Sequence, residues 1–74
     1  MFYTIGNKRF MSIGSARAYA YRMVKKTGKS VDLTRITAKG PVDAGTVLFK
    51  DSKAFYTPLG GKTYILYADG SVKN

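Results

Sequence analysis

The chain has 74 residues, which is room for one domain, and contains neither cysteine nor histidine. Disulfide staples and the usual transition-metal ligands are therefore excluded, and the fold has to rest on apolar packing, for which 45% hydrophobic residues supply the material. Thirteen Lys and Arg stand against four acids, all Asp, for a formal charge of +9. So self-repelling a surplus points to an anionic partner.

In chain order, Phe2-Tyr-Thr-Ile5 reads as a short strand, Gly6-Asn7 as a tight turn and Lys8 to Met11 as the returning strand. Ser12 is a good helix N-cap, and Ile13, Ala16, Ala20, Met23 and Val24 share one face at helical spacing, so a helix is predicted over about 13–27. Gly28 suits the left-handed position after the last turn, and Lys25 and Lys26 complement the negative end of the dipole.

Val31 to Ile36 reads as a strand that Ala38-Lys-Gly-Pro41 breaks, with a loop expected up to Gly45. Further strands are predicted at Thr46–Lys50, Ala54–Thr57 and Lys62–Ala68, with turns at Asp51-Ser52, Gly60-Gly61 and Asp69-Gly70. The last four residues are expected to pair briefly or fray. Phe10, Phe49, Phe55 and Ile65 are assigned to the core, and some of the six tyrosines must reach the surface. No repeat or linker divides the chain, so residues 1–74 are read as a single domain of the α+β class, an antiparallel sheet with one helix packed on a face. A small, partly open β-barrel with a helix is the alternative.

Residue inventory argues against an enzyme. Without His, Cys or Glu, the common general bases and nucleophiles are missing. Asp43 followed by Asp51-Ser-Lys53 loosely echoes the acid and acid-x-Lys spacing of metal-dependent nucleases, but Val42 interrupts the first motif and the chain is too short for such a fold. Gly60-Gly61-Lys62-Thr63 lacks the earlier glycine of a phosphate loop and leads into a strand, not a helix. No cofactor and no metal are expected.

A binding surface is the better expectation. No acid occurs from Met1 to Val31, while Lys8, Arg9, Arg17, Arg22, Lys25, Lys26 and Lys29 all do. A helix with only positive charges forgoes the i,i+4 pairs that stabilise ordinary surface helices. Together with Tyr21 on the border of the apolar stripe, these residues are the candidate site. Ser12 to Ala16, flanked by Lys8, Arg9 and Arg17, is a candidate phosphate position at the helix start. The resulting expectation is a non-catalytic nucleic-acid-binding domain that meets DNA or RNA through the basic helix face and adjoining hairpin. The alternative is a small adaptor or inhibitor docking on an acidic surface of another protein. An exposed strand edge or a tyrosine patch is expected to support weak homo-oligomers. The absence of cysteine fits a cytoplasmic protein, which is the expectation; the first residues carry no long apolar run ahead of their charges, and no stretch approaches a membrane span.

Overall fold

A computed structural model describes all 74 residues. The elements are β1 (Phe2–Ile5), β2 (Lys8–Phe10), α1 (Ile13–Thr27), β3 (Val31–Thr37), β4 (Gly40–Lys50), β5 (Lys53–Thr57), β6 (Tyr64–Leu66) and β7 (Val72–Lys73). The strands form one antiparallel sheet in the order β2-β1-β3-β4-β5-β6-β7. The sheet is not closed, and α1 crosses one of its faces from β2 to β3, contacting β1 to β5. This is the α+β arrangement that the chain order implied. No helix is long and apolar enough to cross a membrane.

The helix boundaries follow from local chemistry. Ser12 has extended backbone angles, and its hydroxyl oxygen accepts a hydrogen bond from the Ser15 amide at 3.1 Å. Gly28 takes φ 74°, and its amide donates to the Val24 carbonyl at 2.8 Å. Ala16, Ala20 and Val24 are fully buried against the sheet, while Met23 is only half-buried. The two alanines keep the helix close to the strands, where Leu33, Val47, Ala54, Tyr56 and Leu66 meet it.

Period-two alternation decides which strand residues share that face. Val47 pairs with Tyr56 and Ala54 with Leu66, all buried. Leu48 pairs with Phe55 and Phe55 with Ile65, so this row lies on the opposite face. The sequence-based assignment of Phe55 and Ile65 to the core is thereby corrected: the alternate residues Ala54, Tyr56 and Leu66 turn to the helix. Phe10 and Phe49 do pack against the core.

Residues 40–45 are also corrected, from loop to strand. Thr37 pairs with Gly40 across a two-residue turn, and β4 then runs antiparallel to β3. Because β5 pairs only with residues 46–50, this stretch is a sheet edge, where Pro41 is accommodated. A bulge at Ala44 shifts the register between Leu33 and Thr34. Gly45 beside it has φ 116° and lies under the Tyr56 ring, whose hydroxyl donates to the Ala44 carbonyl at 2.6 Å. The strand expected over 62–68 is shorter, Tyr64–Leu66, and Val72–Lys73 pairs with it. Both sheet edges, β2 and β7, are short and carry Lys or Arg, a pattern that discourages edge-to-edge pairing.

Candidate nucleic-acid interface

The helix distributes its cations over two flanks and an outward face. On the flank toward β2, Tyr19 packs on Phe10 with ring centres 5.2 Å apart. Lys8 from the hairpin and Arg22 from the next helical turn converge on the same Tyr19 ring, at 5.6 and 5.8 Å from its centre. Two elements separated by the β2–α1 connection thus each bring a charge to one ring. Arg22, Lys25, Lys26 and Lys29 are exposed beyond them. No carboxylate interrupts this run of sequence.

Arg9 and Arg17 stand apart from that group. Alternation along β2 puts Arg9 on the far side of the sheet, where its guanidinium lies 5.0 Å from the Phe2 ring centre. Arg17 turns inward on the other flank of α1. Its Nε donates to the Gly70 carbonyl at 2.8 Å, and its guanidinium lies 5.3 Å from the centre of the Tyr56 ring. Lys8, Arg9 and Arg17 therefore do not gather around the helix start, and the Ser12 hydroxyl there is engaged in capping. Tyr21 is half-buried against the core, with the Lys25 ammonium 6.0 Å from its ring centre.

Three of the four acids have local hydrogen-bond partners. Asp32 accepts from the Thr46 hydroxyl at 3.0 Å, and Asp43 accepts from the Gly45 amide at 2.8 Å beside the bulge. Asp69 accepts from the Ser71 amide and hydroxyl, bonds that hold its carboxyl below the usual range. Asp51 occupies the β4–β5 turn with φ 53°. It lies at the opposite end of β4 from Asp43, roughly 25 Å away at the rise of an extended strand, so the two cannot share an ion.

Two clefts flank the helix. One of about 340 Å³ at its N-terminal end is lined by Tyr3, Ile13, Arg35, Asp43, Tyr56 and Leu59, among others, with the Arg35 and Asp43 charges of opposite sign. The other, about 290 Å³, lies between α1 and β5–β6 and includes Tyr21, Lys53 and Tyr67. The sequence-based site missed Tyr19 as the platform for Lys8 and Arg22, although its position one turn before Arg22 was a usable signal. It also missed Lys53 and Tyr67, which no local pattern links to the helix. No family model matches the chain, and neither does any characterised protein or solved structure, so what this surface does has to be argued from its own chemistry.

Proposed function

We propose that the chain is a non-catalytic nucleic-acid-binding domain that takes backbone phosphates on the outward side of α1 and on the β1–β2 hairpin. The observation that carries this reading is the convergence of Lys8 and Arg22 on Tyr19, beside exposed Lys25, Lys26 and Lys29. Cations held on an aromatic ring lose less freedom on binding than free side chains. Spaced positive charge without intervening carboxylates suits a polyanion with regularly spaced phosphates.

The test is a salt series with duplex DNA. Replacing Arg22 and Lys25 together with Gln is expected to leave the melting curve unchanged and to flatten the slope of log K against log salt by about 0.9 for each lost phosphate contact. The control replaces Lys39 and Lys62, exposed residues in the β3–β4 turn and the β5–β6 connection, with Gln. Equal losses in both variants would reduce the interaction to diffuse charge attraction. No loss in either would favour docking on an acidic protein surface.

A further inference from the structure

The cleft between α1 and β5–β6 is bordered by two tyrosines from distant parts of the chain. Tyr21 comes from the helix and Tyr67 from the residue after β6, while Ala54 and Leu66 form an apolar wall. Lys53 is the one charged residue lining it, and the Lys25 ammonium lies 6.0 Å from the ring centre of Tyr21, one of the lining residues. Tyr67 is 43% exposed, and the sheet does not need it for packing, because Leu66 fills the core at this point. At about 290 Å³ the cleft sits at the lower end of the range for small-ligand sites, with room for one ring system and not for an extended chain.

Two tyrosines and an apolar wall lining one cleft favour a flat, polarisable group. Lys53 in the lining and Lys25 on the Tyr21 ring favour negative charge attached to it. A base within a nucleic-acid strand combines both features, but a paired base has its faces covered by its neighbours and cannot enter. We propose that this cleft receives one unpaired base of a single-stranded nucleic acid, with the adjoining phosphates on Lys53 and Lys25. The proposal rests on the nucleic-acid reading above and names the form of strand and the atoms that meet it. The outward helix face then serves phosphates of any strand, while the cleft discriminates for unpaired bases.

The experiment compares fluorescein-labelled oligothymidine, an abasic strand of equal length and charge, and a duplex of that length, by anisotropy at low salt. Wild type is expected to bind oligothymidine roughly tenfold more tightly than the abasic strand. Tyr67→Ala should abolish that preference and leave abasic affinity unchanged, while Tyr67→Phe, which keeps the ring, should retain it. Because the chain has no Trp, stacking also reads out in wild type as quenching of tyrosine fluorescence by oligothymidine and not by the abasic strand. Equal affinity of wild type for the two single strands, or a full preference in Tyr67→Ala, overturns the base site. If duplex and abasic strands still bind in that case, the phosphate-binding reading stands without it. If none of the three binds, both readings fall.

Discussion

Arg17 and Arg22 leave the same helix, and each lays its guanidinium over a tyrosine ring at a similar distance, 5.3 Å for Tyr56 and 5.8 Å for Tyr19. Their surroundings separate them. Arg17 is part-buried and donates to the Gly70 carbonyl, so it ties the β6–β7 turn to the first half of α1. Arg22 is exposed, and Tyr19 also carries Lys8. A cation over an aromatic ring therefore does not by itself define a binding residue. Burial and a committed hydrogen bond make one arginine architectural, and their absence leaves the other exposed to solvent.

The largest expected effect tests the architectural flank. Gly70 is buried with φ 91°, and a Cβ there would run into the Gly14 carbonyl and the Ala18 amide. Gly70→Ala combines left-handed strain with overpacking and is expected to cost about 3 kcal/mol in urea unfolding. Gly14→Ala places its Cβ in open space and should cost nothing, although the two glycines touch. Equal costs would mean that the turn does not pack on the helix in this way.

The next effect sharpens the contrast between the arginines themselves. Arg17→Met keeps the apolar stem but leaves the Gly70 carbonyl without its charged donor, and a loss of about 2 kcal/mol is expected. Arg22→Met should leave the melting temperature unchanged and weaken nucleic-acid binding. If Arg17→Met abolishes binding with its stability intact, the division of roles is wrong.

Tyr56 gives the smallest effect, together with a pH signature. Burial raises its hydroxyl pKa above the ordinary 10.0, while the neighbouring Arg17 pulls the other way. The folded state thus holds this proton longer than the unfolded state does. The associated stability is intact below pH 10.0 and is lost as pH rises from there through the folded value. Tyr56→Phe is expected to cost about 1 kcal/mol at neutral pH through the lost bond to the Ala44 carbonyl. It should also show a shallower alkaline decline than wild type. Parallel pH profiles for the two proteins would contradict the burial of this hydroxyl.

Much of the fold was legible because its signals are local. Ser12 and Gly28 mark helix ends by backbone chemistry that needs no distant partner, and Gly6-Asn7 and Asp51-Ser52 sit at two-residue turns where they were expected. Residues 40–45 were misread because Ala38-Lys-Gly-Pro41 carries real turn chemistry, and what turns the rest into a strand is pairing with β3, a non-local contribution. Phe55 and Ile65 were misassigned for a related reason. Alternation shows that Ala54 and Phe55 face opposite ways, but only the helix position says which way is inward. For the candidate site, the sequence located the basic segment and Tyr21. It could not separate Arg17 from Arg22, since Gly70 lies in a distant turn, nor bring Tyr67 beside Tyr21.

The sequence by itself determined the helix with its two ends, the opening hairpin, the positive charge of the helix and the absence of disulfide chemistry, because propensity, capping and residue inventory act over a few neighbouring positions. Tertiary structure alone decided which sheet face is covered, which arginine is committed to the fold and which tyrosines border a cleft. Each of those outcomes depends on contacts between residues far apart in the chain, where the side chain that buries or satisfies a group is supplied by another element.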